Sequence, residues 1–148
     1  MNTFDLQIQS TASDGKHTPG EIVDMAKKEG LQIIALTDHD TVDGIPEALS
    51  AGGKLGVRVI PGIEMSVEEH NSHILGFGID GKNPELLARV DEFKEDRIKR
   101  AKEMVQRFKE AGFAAEWEDI AKAAGGVVTS LHVVLEILGR AENKEKLG

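Results

Sequence analysis

The stretch Leu31-Gln-Ile-Ile-Ala-Leu-Thr-Asp-His-Asp-Thr-Val-Asp-Gly44 decides how this chain is read. An apolar run ends in Thr37-Asp38-His39-Asp40, and a helical pattern follows. A buried strand would thus carry three ionisable side chains to its C-terminal tip, the end where parallel α/β proteins build their sites. Imidazole and carboxylate are also the donors a hydrolytic metal takes. Taken alone, the tetrapeptide fits equally well a turn in which Asp38 or Asp40 caps the next helix. The flanking segments bear on that choice.

Upstream, Phe4, Leu6 and Ile8 alternate with Asp5, Gln7 and Gln9. A period of two predicts a strand, with Gln7 and Gln9 side by side on one face. Residues 11–20 are turn-formers. Thr18, Pro19 and Glu21 fit a capping box, predicting a helix over about 19–29 closed by Gly30. With a strand at 31–36 this makes a βαβ unit. Downstream, a helix beginning near Val42 or Gly44 is expected to end at Ala51-Gly52-Gly53. Residues 57–60 are apolar and β-branched, a third buried strand, which places Glu64 just past its end. Residues 67–72 suggest a hairpin loop, and His73 opens a fourth strand over 73–79. From Asn83 the pattern turns helical: a long amphipathic helix at 84–111, then shorter ones at 117–123 and 131–138, the last carrying His132. The expected division is β/α alternation over residues 1–82 and a helical segment over 83–148, together one compact domain.

The 148 residues suffice for a single core. Apolar content of 40% and charged content of 30% are those of a soluble globular chain. A net charge of −8 disfavours non-specific nucleic-acid binding and repels anionic substrates unless a metal or local cations reverse the field. The lack of cysteine excludes disulfides and thiolate metal sites. No run of about 18 apolar residues and no signal-peptide pattern are visible, so a cytoplasmic location is expected, with no membrane partner.

His39, Glu64 and His73 fall at inferred strand ends, Asp14 in the first loop, and His132 near a helix start. Such a set binds Mn, Fe or Zn. One member alone is easily structural; several at consecutive strand tips would be expensive to bury unpaired. His17 and His70 lie in polar loops and are expected to be solvated. Lys16 is a loop cation that either meets a phosphate or simply faces solvent.

At these residues the chain resembles the PHP family, the polymerase and histidinol phosphatase domain. The motifs are Asp5-Leu6-Gln7-Ile8-Gln9-Ser10, Ser13-Asp14-Gly15, Thr37-Asp38-His39-Asp40, Pro61-Gly62-Ile63-Glu64 and His73-Ile74-Leu75-Gly76, in the family's order and spacing. The helical part is similar to the insert of small stand-alone PHP phosphoesterases. The resemblance implies an α/β fold, part of a distorted (β/α)7 barrel with about four or five mostly parallel strands. It implies Asp14, His39, Glu64, His73 and His132 as metal ligands, Glu64 bridging, with Asp14, His39 and Glu64 catalytic. Asp38 and Asp40 would support the ligands or cap, and Lys16 and Arg97 would meet the substrate.

The implied activity is hydrolysis of a nucleotide or other small phosphate monoester by a metal-activated water, not attack on a nucleic-acid polymer. Two departures bear on it. The family's first-strand histidines are Gln7 and Gln9 here, so one or two divalent ions (Mn, Fe, Zn or Mg) are expected rather than three. The chain stops at Gly148 without the family's late strands, and Ser130 stands where an arginine usually precedes the insert histidine. A non-catalytic relative, an assembly module or a shortened form of an active enzyme is therefore the alternative reading. Since four or five strands cannot close a seven-stranded barrel, a homodimer or higher homo-oligomer is expected to cover the open surface.

Overall fold

The computed structural model describes residues 3–67 and 72–147. Most of the expected hairpin loop, His70 included, lies outside them. Four strands, β1 (Phe4–Ile8), β2 (Ile33–Leu36), β3 (Arg58–Ser66) and β4 (His73–Phe77), form one sheet in that order. The first three are parallel and β4 returns antiparallel. Helices α1 (Pro19–Lys28) and α2 (Ile45–Leu55) make the crossovers. They bury Ile22, Val23, Ala26 and Ala48 against Ile34 and Leu36 of β2. This is a partial barrel whose opposite, inner face is free to carry polar groups.

Thr18 caps α1 as its sequence predicts: its hydroxyl accepts the Glu21 N–H, and the Glu21 carboxylate accepts the Thr18 N–H. The glycine pair expected to end α2 lies inside it. A Cβ at Gly52 would stand 2.6 Å from the Val57 carbonyl oxygen and 2.7 Å from the Val59 side chain. Close packing of helix on strand, not chain termination, explains that glycine.

β3 is longer than its β-branched core predicts. Residues 58–61 pair with β2, and 62–66 pair with β4. Pro61 sits at the changeover of partners, where a missing N–H is tolerated. Glu64 is thus inside a strand rather than beyond one.

The helical part comprises α3 (Pro84–Glu110), α4 (Trp117–Ala124), α5 (Ser130–Gly139) and a short α6 (Lys144–Leu147), the last unforeseen. Val90 of α3 packs with Val42, Ile45 and Ile63, fastening the long helix to the β/α layer. Farther along, Ala101 and Val105 share a core with Ile120, Val128, Val133 and Ile137. The loop before α5 crosses the β1–α1 loop: the Val127 amide donates to the Ala12 carbonyl, and a Cβ at Gly126 would lie 2.5 Å from that same oxygen. That crossing brings His132 toward the strand tips.

Candidate metal centre

Backbone register assembles the site. The β2–β3 pairing continues past Leu36 and Pro61 to a parallel bridge between His39 and Glu64. The Glu64 N–H donates to the Asp38 carbonyl, and the Asp40 N–H to the Glu64 carbonyl, both at 3.0 Å. His39 and Glu64 are therefore neighbours on the inner face. Across the antiparallel pair Glu64 faces Leu75, so His73 is its diagonal neighbour on the same face.

His39 Nε2 lies 3.9 Å from Glu64 Oε2, and His73 Nδ1 lies 3.7 Å from Glu64 Oε1. The imidazole centroids are 4.7 Å apart. One donor atom from each of the three residues falls within 4.8 Å of the others. Just past the end of β1, Gln9 Nε2 donates to Glu64 Oε2 at 2.7 Å, and from within the strand Gln7 Nε2 approaches it at 3.5 Å. The two amides share a face as their alternation predicts.

The donor set fits a divalent cation. Asp14 Oδ1 and His39 Nδ1 are buried without a hydrogen-bond partner among the described residues. Orphaned buried polar atoms are costly and call for an occupant. Burial pushes the His39 imidazole below its usual range. Arg97 pushes the same way, against the pull of Glu64 and Asp14. Both effects favour the neutral ring, whose lone pair a cation needs. Burial likewise lowers His132, with the Asp14 charge opposing it. Asp14 and His132 flank the three-residue cluster without joining it. The Thr129 N–H donates to His132 Nδ1 at 3.1 Å, which leaves the proton of the neutral ring on Nε2.

Neither Asp38 nor Asp40 caps α2, whose first turn follows Gly44 without a side-chain cap. Asp38, fully buried, ties the first loop to the β2 tip. Its Oδ1 accepts the Ser10 N–H at 2.6 Å and the Ser13 hydroxyl at 2.7 Å, while Oδ2 accepts the Ser10 hydroxyl at 2.8 Å. Asp40, with the positive φ of 46°, accepts the Ser66 N–H and hydroxyl, each at 2.8 Å, and the Arg97 Nε–H. Burial alone would raise Asp40; the Ser66 and Arg97 donors outweigh it and hold the carboxyl below its ordinary range.

Arg97 also donates to the Ser66 hydroxyl from Nη2 at 2.8 Å. It lines a cavity of about 170 Å³ with His73, Ser66, Arg100 and Ser130 over Ala101. Arg100 forms no ion pair among the described residues. Lys16 stays exposed on the first loop, as does His17, and neither lines this cavity. Ser10, Ser13, Ser66, Arg100 and Ser130 were not anticipated in these roles. Only Ser130 carried a local signal, by standing where the resembled family has an arginine.

A family model described as PHP domain matches residues 5–95, which hold all four strands and the first half of α3. The chain belongs to the PHP domain family. Among curated PHP relatives, it is 36% identical over 144 residues to a 5'-3' exoribonuclease of Haemophilus influenzae, covering 95% of this chain and 53% of that protein. It is 39% identical over 116 residues to a 3',5'-nucleoside bisphosphate phosphatase of Chromobacterium violaceum, covering 77% and 41%. The chain thus spans about half the length of the curated relatives it matches. A solved chain from Bifidobacterium adolescentis, assigned as a metal-dependent phosphoesterase, superimposes with a TM-score of 0.85 at 28% identity, over 93% of this chain and 50% of that one.

Proposed function

We propose that this chain carries a divalent-cation site for hydrolysing a small phosphate monoester, with a nucleotide as the leading substrate class. The observation that supports the reading most is the convergence of His39, Glu64 and His73 on one inner face of the sheet. These three would hold the cation, with Asp14 and His132 beside them. A divalent cation supplies Lewis acidity toward phosphate oxygen and toward water. The chain supplies the rest: a neutral His39, a buried carboxylate in Glu64, and guanidinium groups at the adjoining cavity.

A cavity of about 170 Å³ has room for a phosphate group, and the net charge of −8 disfavours a polyanion. The C. violaceum relative, named for a nucleoside bisphosphate, has the chemistry that fits. The test is phosphate release from nucleoside monophosphates and bisphosphates in excess Mn²⁺, with an EDTA control and single-stranded RNA as a competing substrate. Release from the small esters, abolished by EDTA, is expected. Cation binding without turnover would favour the non-catalytic alternative instead.

Arg100 is placed to meet the anion. Arg100→Ala is expected to raise KM about tenfold or more with a smaller change in kcat, the loss of one charge-assisted hydrogen bond. Steady-state kinetics with a nucleoside monophosphate reads this directly, and an unchanged KM would count against the cavity as the phosphate seat.

We also propose a homodimer. β1 is an edge strand with Phe4 62% exposed, and α5 shows Leu131, Val134, Leu135 and Leu138 at the spacing of one helix face. Sedimentation of the wild type at dimer mass, shifting to monomer in Leu135→Glu, is expected; a monomeric wild type at micromolar concentration would contradict it. No helix among the described residues is long and apolar enough to cross a membrane. The cysteine-free sequence supports a cytoplasmic placement.

A further inference from the structure

The two oxygens of Glu64 are served differently. The residue is 6% exposed, so each oxygen needs a partner. Oε2 accepts the Gln9 amide at 2.7 Å, with the Gln7 amide behind it at 3.5 Å. Oε1 receives no hydrogen bond among the described residues and looks toward His73 Nδ1, 3.7 Å away. A carboxylate orients a glutamine with N–H toward it, since the amide oxygen would be repelled. The β1 side of Glu64 therefore presents bound amide hydrogens, the positive end of a dipole, where a cation would otherwise sit. An amide carries no net charge, so the negative charge that Glu64 shares between its two oxygens is still unneutralised.

From this geometry we infer that Gln9, backed by Gln7, closes the β1 side of Glu64 to cations and confines binding to the face of His39 and His73. Gln9 is a positioning residue: it holds Oε2, the oxygen 3.9 Å from His39 Nε2, so that Oε1 faces His73. The inference rests on Glu64 being a cation ligand, as proposed above. It adds a rule of occupancy, in which the strand-one amides set how many cations the centre takes.

Calorimetric titration of the whole protein with Co²⁺, alongside the visible spectrum of the bound ion, tests it. Gln9→Glu keeps the shape but turns the donor into an acceptor facing Glu64. It is expected to bind one cation more than the wild type. Gln9→Leu removes the donor without adding charge; it is expected to keep the wild-type count and bind about tenfold more weakly, as loss of a ligand's orienting partner does. An unchanged count in Gln9→Glu, or unchanged affinity and spectrum in Gln9→Leu, would overturn the inference and leave the proposed function standing. Absence of saturable Co²⁺ binding by the wild type would remove both.

Discussion

Asp38→Ala is expected to lower folding stability by about 3 kcal/mol or more. Three buried donors converge on this carboxylate: the Ser10 N–H, the Ser10 hydroxyl and the Ser13 hydroxyl, all within 2.8 Å. Each is left without an acceptor in the variant, and an orphaned buried donor costs about 1–3 kcal/mol. The costs will not sum fully, because the loop can relax toward water. Asp38→Asn keeps one oxygen and should lose about half as much. Denaturant midpoints read both, provided the slope is unchanged. Because the same loop carries Asp14, the alanine variant should also bind cations less tightly. A stability loss under about 1 kcal/mol would mean that Asp38 does not tie the first loop to the β2 tip.

Glu64→Gln is expected to reduce hydrolysis of a nucleoside monophosphate by about 100-fold or more at saturating Mn²⁺. Even partners that only orient a metal ligand are worth 10–100-fold, and Glu64 is the carboxylate toward which both imidazoles and both β1 amides turn. Folding should be little harmed, because a buried charge without a cation is removed. That opposition separates a functional role from a structural one: kcat/KM falls while the unfolding midpoint holds or rises. Equal falls in both would show that Glu64 serves the fold.

Much of this was legible in the sequence. The alternation at Phe4 to Gln9 puts both glutamines on one shared face, and the apolar run before Thr37 delivers His39 to a strand tip. Short-range patterns carry such information because strand and helix periods are local. What stayed hidden depends on partners far away in sequence. Asp38 and Asp40 fit a helix cap and a site equally well in the sequence, yet their carboxylates accept from Ser10, Ser13, Ser66 and Arg97, from 25 to 57 residues away. No local rule distinguishes an aspartate that caps from one that ties two strand tips together. The β-branched run ends at Ile60, which puts Glu64 past a strand end, whereas β3 continues to Ser66 by changing partners. Gly52 reads as a helix ending, although it sits inside α2 where a Cβ would collide with Val57 and Val59. The resemblance assigns Arg97 to the substrate, but its bonds to Asp40 and Ser66 bridge 57 and 31 residues and leave no local trace in the sequence.

The central claim is that side chains from separate strands share one cation. Its most direct test is Co²⁺ titration of the wild type beside His39→Ala and His73→Ala, followed by calorimetry and the visible spectrum. Saturable binding by the wild type, with each variant weakened and its spectrum altered, is the predicted result. Equal affinity and identical spectra in all three would place any bound cation elsewhere and contradict the shared site.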